Sequence, residues 1–296
     1  MKYIDRLHAA IDRCQSPAMV GLDPRIEKLP QPFREQALDS VSAAAAAITN
    51  YHRALIDILA GEVAVIKPQS AFFERLGHHG FLALADACEY AQERGLLVLM
   101  DAKRGDIGST SEAYADTFLG GGYKSAFPRC DALTVNPFLG IDACEPFIEQ
   151  AKANNAGLYF LVKTSNPGAA AFQDHGAPTL SEVVAAQVAK WSAADMGDGN
   201  WSNVGAVVGA TRADELDGFR AIMPGTPLLL PGFGFQGGTA DGLERAFDAA
   251  GHGAVVNSSR GILFAHQRKD LDHLASWEDK TAFAVAEMKQ QLSLIK

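Results

Sequence analysis

The sequence predicts an α/β protein folded as a single (β/α)8 TIM barrel, and three observations carry that expectation. Short apolar runs rich in β-formers alternate with longer helical stretches along the 296 residues, and there are eight such runs. The runs are apolar on both faces, as strands of a buried parallel sheet must be. No G-x-G-x-x-G turn follows the first run, where "GLDPRIEKLP" stands instead, so an open doubly wound sheet is disfavoured. A barrel of this kind commonly occupies about 250 residues. The whole chain, 1–296, is therefore expected to be one barrel domain with an N-terminal helix and a C-terminal helical tail.

Taken in order, the first strand is "AMVGLD" (18 to 23), followed by an Ala-rich helix near 36 to 60 in which Ala43 to Ala47 are strong helix formers. "VAVIKPQ" (63 to 69) and a helix at 79 to 94 form the second unit, "LLVLMDAK" (96 to 103) and a helix at 110 to 120 the third. "ALTVN" (132 to 136) precedes a helix at 141 to 153, and "LYFLVKTS" (158 to 165) one at 179 to 194. After a surface loop, "DMGDGNWSN" (195 to 203), come "VGAVVGAT" (204 to 211) with a helix at 212 to 222, then "TPLLLPG" (226 to 232) with one at 239 to 249. "GAVVNSS" (253 to 259) is the eighth strand, and a last helix covers about 278 to 294.

Composition narrows the function classes. With 35 acidic and 26 basic residues the formal net charge is -9, which leaves no basic surface for nucleic acid or anionic lipid. Any anionic substrate must be met by a few local cations. The N-terminal "MKYIDRLHAAIDRC" lacks an apolar signal core, and no run approaches 18 uninterrupted apolar residues, so no membrane partner and a cytoplasmic location are expected. Cysteines 14, 88, 130 and 144 form no C-x-x-C pair, which argues against a disulfide framework or zinc site. His78 and His79 are adjacent rather than four apart, so no metal site is expected there.

The placement of charge is more specific. In "LMDAKRGDIGST" (99 to 110), Asp101 and Lys103 continue the face of Leu97 and Leu99, while Val98, Met100 and Ala102 face the helices. The charged row thus points into the barrel at the C-terminal end of the third strand, where barrel enzymes carry their catalytic groups. Lys67 follows Val63 and Val65 by the same parity, and Asp23 follows Met19 and Gly21. A purely structural ion network is a poor explanation for so many inward charges, because burying each ion costs several kcal/mol. Lys163 shares the face of Ser165 and is a further candidate barrel cation. "PGFGFQGG" (231 to 238) and "NSSRGI" (257 to 262) end the last two strands, where glycine N–H groups, Gln236 and Arg260 would suit a phosphate. The tripeptide "RGD" at 104 to 106 has no secretory context and is set aside.

With those residues placed, "DAKRGDIGST" resembles the D-x-K-x-x-D-[IV]-x-x-T signature of the orotidine 5′-phosphate decarboxylase family. "GLDPR", "VIKPQSAFFE", "TVNPFLG", "KTSNPGA", "LPGFGFQGG" and "NSSRGI" are similar, in order and spacing, to its longer bacterial branch, the second type, over about residues 16 to 265. The resemblance implies decarboxylation of orotidine 5′-phosphate to UMP without metal or organic cofactor. It makes Lys67, Asp101, Lys103 and Asp106 the catalytic array, with Lys103 as proton donor. It sets Asp23 and Lys67 on the ribose hydroxyls, Ile107 and Thr110 on the ribose and pyrimidine wall, Ser165 on the pyrimidine, and Gln236 and Arg260 on the phosphate, with Pro231 also among the substrate-binding residues. It also implies a homodimer in which Asp106, Ile107 and Thr110 enter the neighbouring subunit's site. Ser259 stands where family members often have glycine, and the loop 195 to 203 and the tail beyond about 265 are not explained by shorter members. A Mg²⁺-dependent sugar-phosphate decarboxylase or aldolase of the same superfamily, and a silent nucleotide-binding barrel, are the alternatives.

Overall fold

All eight apolar runs form strands, and they pair in sequence order, each parallel to the next, until the eighth closes on the first. The computed structural model describes residues 1–209, 215–233 and 242–293. The strands are β1 (Ala18–Leu22), β2 (Val65–Pro68), β3 (Leu97–Arg104), β4 (Ala132–Val135), β5 (Gly157–Lys163), β6 (Val204–Val208), β7 (Leu228–Pro231) and β8 (Ala254–Ser258). Helices α1 (Tyr3–Cys14), α2 (Gln31–Gln36), α3 (Val41–Leu59), α4 (Ser70–Glu74), α5 (Gly77–Glu93), α6 (Gly108–Ala115), α7 (Ile141–Asn154), α8 (Ala170–Gln173), α9 (Leu180–Ala193), α10 (Leu216–Ile222), α11 (Arg260–Leu263) and α12 (Trp277–Ser293) surround them. Among the described residues, no helix is long and apolar enough to cross a membrane.

Side-chain alternation sorts each strand into two cores. Val20, Ile66, Val98, Met100, Leu133, Phe160 and Val256 face the helices. Met19, Val65, Leu99, Ala132, Tyr159, Val207, Leu229 and Val255 fill the barrel interior. The apolar face of α1, with Tyr3, Ile4, Leu7 and Ile11, joins the interior set and closes the N-terminal end. Tyr3 lies so close to Gly157 that a Cβ there would stand 2.2 Å from its ring, so β5 needs glycine to admit the plug. That end is sealed by the apolar face of α1, with the Tyr3 and Tyr159 hydroxyls paired to each other at 3.2 Å, and the charged side chains of the strand faces lie at the C-terminal mouth.

Three expected helices differ. The span 36 to 60 divides because Ser40 takes an extended backbone and its Oγ accepts from the Ala43 N–H, starting α3 afresh after α2. The span 110 to 120 ends in a π-helical turn, Asp116–Gly120. Within 239 to 249, the described part holds only a 3-10 turn, Leu243–Ala246, ended by extended Phe247. Residues 210 to 214 lie outside the described residues, so the start of the helix expected at 212 is not set, and α10 begins at Leu216.

Candidate active site

Two residues beyond the apolar interior layer, the same strand faces carry Gly21, Lys67, Asp101, Thr134, Leu161, Pro231 and Asn257. Strand periodicity alone therefore lifts one layer of mixed polarity to the mouth. Lys67 Nζ donates to Asp101 Oδ2 at 2.7 Å, and Lys103 Nζ donates to Asp101 Oδ1 at 2.5 Å. The side chains of Lys67 and Asp101 are 5% and 8% exposed, whereas that of Lys103 is 43% exposed. The array is thus rooted in protein and opens to the mouth through Lys103.

Electrostatics follow from that burial. Burial opposes the charge on Asp101, but Lys67 and Lys103 overcome it and hold the carboxyl well below the usual carboxylate range. Burial likewise opposes charge on Lys67, yet Asp101 and Asp23 outweigh it and raise its pKa. Asp23 therefore belongs to the same field, and its buried Oδ1 has no hydrogen-bond partner among the described residues. Lys67 and Asp101 therefore both stay ionised at neutral pH.

Lys103 reaches the array by a route that simple alternation does not describe. Met100 pairs with Leu133 and Arg104 with Val135, so β3 places three residues where β4 has one. Lys103 sits in that bulge with φ 47°, in the left-handed region. Two extra residues preserve the sides: Lys103 still faces the mouth, and Arg104 faces the helices. There Arg104 donates to Glu74 at 2.5 Å and lies over the rings of Tyr114 and Phe118.

Asp106, Ile107 and Thr110 occupy the rim. Asp106 Oδ1 accepts from the Ile107 N–H at 2.8 Å, Ile107 is 60% exposed, and Thr110 is exposed in the first turn of α6. None of the three hydrogen-bonds to Lys67, Asp101 or Lys103 in the same chain. Phe138, Leu139 and Ile141, exposed by 73%, 51% and 50%, give the next loop and the start of α7 an apolar surface as well.

On the opposite side Pro231 ends β7 beside Asn257 of β8, and Arg260 heads α11 directly after Ser259. A Cβ on Gly21 would stand 1.9 Å from Ser259 Oγ and 3.2 Å from Asn257 Oδ1, so the glycine of "GLDPR" makes room for Ser259 over β1. Gln236 lies outside the described residues. Ser165 follows β5 and packs against Gly209, whose Cβ would lie 3.0 Å from the serine Cβ. Its loop is clipped by Thr164, whose N–H donates to Gln173 Oε1 at 2.9 Å while Gln173 Nε2 donates back to Thr164 Oγ1 at 2.9 Å.

Lys163 does not join the barrel array. A register shift between Leu161 and Lys163 pairs Lys163 with Val208, a helix-facing residue, and turns the lysine outward. Its ammonium there bonds to Asp174 and lies 3.2 Å from Glu215. Among the described residues no group of three or more His, Cys, Asp or Glu is placed to hold a metal ion.

Two residues at the mouth carry no role in the sequence reading. Thr134 is buried, accepts the Lys103 N–H at 2.9 Å and donates to Asp101 Oδ1 at 3.0 Å. Asn257 is also buried, and its Oδ1 has no partner among the described residues. Both are polar residues at inward positions of otherwise apolar strands, the same signal that singles out Lys67 and Asp101.

The sequence model of the orotidine 5′-phosphate decarboxylase / HUMPS family matches residues 19–270. An orotidine 5′-phosphate decarboxylase of Rhodopirellula baltica is 45% identical over 302 residues, covering 99% of each chain. One from Caldicellulosiruptor saccharolyticus is 38% identical over 277 residues, covering 90% of this chain and 91% of its own. Among solved structures, a Streptomyces avermitilis chain proposed to be an orotidine 5′-phosphate decarboxylase superposes with TM-score 0.79 at 34% identity, covering 99% of this chain and 95% of that one. Leishmania donovani OMP decarboxylase superposes with TM-score 0.76 at 29% identity, covering 100% and 98%.

Proposed function

The chain belongs to the orotidine 5′-phosphate decarboxylase / HUMPS family, and from that premise we propose a reaction and a role for each residue at the mouth. It is a carboxy-lyase of pyrimidine biosynthesis that removes CO₂ from C6 of orotidine 5′-phosphate to give UMP. The observation that carries the reading is the Lys67–Asp101–Lys103 array, rooted in the buried Lys67 and Asp101, on inward positions of neighbouring strands.

The chemistry explains why such an array is useful. Breaking the C6–carboxylate bond leaves an electron pair on C6 that no conjugated group in the ring delocalises. Fixed charges must stabilise it, and preorganised charges in a low-dielectric site do so without reorganising. Asp101, held ionised, stands beside the substrate carboxylate and repels it. Lys103 attracts the developing charge at C6 and then transfers a proton there, to be reprotonated from solvent. Two unit charges about 4 Å apart at an effective dielectric near 20 interact by about 4 kcal/mol, worth about three decades in rate. Repulsion helps only where the rest of the substrate is held firmly, which falls to groups remote from C6. Gln236 and Arg260, beside Pro231, hold the phosphate; Asp23 and Lys67 take the ribose hydroxyls, and Ser165 reads the pyrimidine.

Asp106, Ile107 and Thr110 complete the site of a second copy, so the working unit is a homodimer with shared sites. Support comes from the rim position of all three and from the exposed apolar surface of Ile107, Phe138, Leu139 and Ile141 beside them. We read 1–296 as one barrel unit, cytoplasmic, working without metal or organic cofactor and without nucleic acid or membrane partners. Loss of orotate absorbance on turnover tests the reaction, run with and without exhaustive chelation. Undiminished activity in chelator supports the reading; activity abolished by chelator and restored by Mg²⁺ would favour an enediolate enzyme instead.

A further inference from the structure

Lys103 is a non-glycine residue held in left-handed backbone conformation at the position assigned to proton transfer. That region is disfavoured for an L-residue by a factor of about 5 to 30 in population, so the surroundings must hold it. Strain of this kind persists only where neighbours over-determine it. Arg104, the next residue, is pinned to the helix layer by Glu74, but that contact fixes the chain after Lys103 and not its own peptide. The contact at Lys103 itself is the hydroxyl of Thr134, which accepts the Lys103 N–H at 2.9 Å. The same hydroxyl donates its proton to Asp101 Oδ1 at 3.0 Å, the oxygen that Lys103 Nζ also reaches.

We propose that Thr134 is a positioning residue: one buried hydroxyl, used as acceptor and donor at once, holds Lys103 in its strained backbone geometry and orients the Asp101 carboxylate toward the Lys103 ammonium. The inference rests on the assignment of Lys103 as proton donor. A hydroxyl is the group required, since its oxygen must take the N–H while its proton goes to a carboxylate that only accepts. Valine has the same shape and does neither. Without the hydroxyl, Lys103 relaxes toward the extended region that the strand otherwise prefers, and its ammonium leaves the axis set by Asp101. The phosphate and pyrimidine contacts belong to β5, β7 and β8 and are untouched.

The test is steady-state turnover of orotidine 5′-phosphate together with equilibrium binding of UMP for Thr134→Val, Thr134→Ser and Lys103→Ala. Thr134→Val is expected to lose about 5- to 30-fold in kcat, the population factor of the strained backbone, while its UMP Kd stays at the wild-type order of magnitude. Thr134→Ser, which keeps both hydrogen bonds, is expected to restore kcat. A merely structural role would lower kcat and UMP binding together and would show in the unfolding transition. If Thr134→Val does not fold, Thr134→Ala removes the same hydroxyl without setting a methyl against the carboxylate, and carries the same expectation. Wild-type kcat in a folded Thr134→Val protein, with Lys103→Ala inactive, overturns this inference alone. Near-normal turnover in Lys103→Ala overturns the assignment beneath it.

Discussion

Replacing Asp101 with asparagine removes one charge and almost no volume, which makes it the sharpest perturbation of the array. Asp101 is 5% exposed and holds Lys67 at 2.7 Å and Lys103 at 2.5 Å. At an effective dielectric near 20, each contact of that length is worth roughly 6 kcal/mol of gross attraction, most of it offset by desolvation. Removing one partner of a buried ion pair typically costs about 3–5 kcal/mol, because the other charge stays buried and uncompensated. Lys67, with its side chain 5% exposed, is that charge. Equilibrium urea unfolding near pH 7 should therefore place Asp101→Asn about 3–5 kcal/mol below wild type, and Lys67→Met in the same chain should recover part of the loss. The pH dependence has a definite sign. Asp101 has a depressed pKa, so its contribution is present above the ordinary carboxylate range and lost as pH falls toward its folded value. Lys67 has a raised pKa, so its contribution is present below the ordinary lysine range and lost as pH rises through its folded value. The deficit should be flat between about pH 5 and 9 and shrink toward both ends. A deficit below about 1 kcal/mol at pH 7 would refute the reasoning, since such values belong to exposed pairs.

Two further predictions concern parts of the fold that support the site. His52 is fully buried in contact with the rings of Tyr51 and Phe73, neither ring nitrogen has a partner among the described residues, and burial lowers its pKa to about 3. The unfolded chain therefore takes up a proton below about pH 6.5 that the folded chain refuses, and stability should fall by ~2 kcal/mol between pH 7 and 5, a slope that His52→Leu reduces and that urea midpoints at the two pH values measure. Gly21→Ala would place a methyl on Ser259 Oγ, directly before Arg260. UMP binding should weaken, the double variant Gly21→Ala with Ser259→Gly should recover it, and calorimetric titration of the two variants reads both outcomes.

The eight strands and their order follow from sequence because buried parallel strands advertise themselves as short runs apolar on both faces, and every run from Ala18 to Ser258 becomes one. The inward positions of Lys67 and Asp101 follow from period-two alternation alone. What alternation does not contain is a bulge. Both β3 and β5 shift register near their C-terminal ends, and the consequences are opposite. In β3 two extra residues return Lys103 to the mouth at the expense of a left-handed backbone; in β5 the shift turns Lys163 away to Asp174 and Glu215. Nothing in "MDAKRGD" or "FLVKTSN" distinguishes these outcomes, because each depends on the register of the neighbouring strand. Thr134 is passed over for a related reason. A threonine in a β-strand is ordinary, and its importance rests on two partners that the fold brings from β3, Asp101 and Lys103. The break before α3 was within reach, since Ser40 is a preferred N-cap residue standing before an alanine run.

Lys103 carries the proposed chemistry, and one measurement addresses it directly: single-turnover conversion of orotidine 5′-phosphate by Lys103→Ala, beside UMP binding to the same variant. The expected result is no detectable release of CO₂ with UMP still bound, because the ammonium proposed to stabilise the charge at C6 and then protonate it is gone, while the proposed phosphate contacts remain. Near-normal turnover by Lys103→Ala would contradict the account.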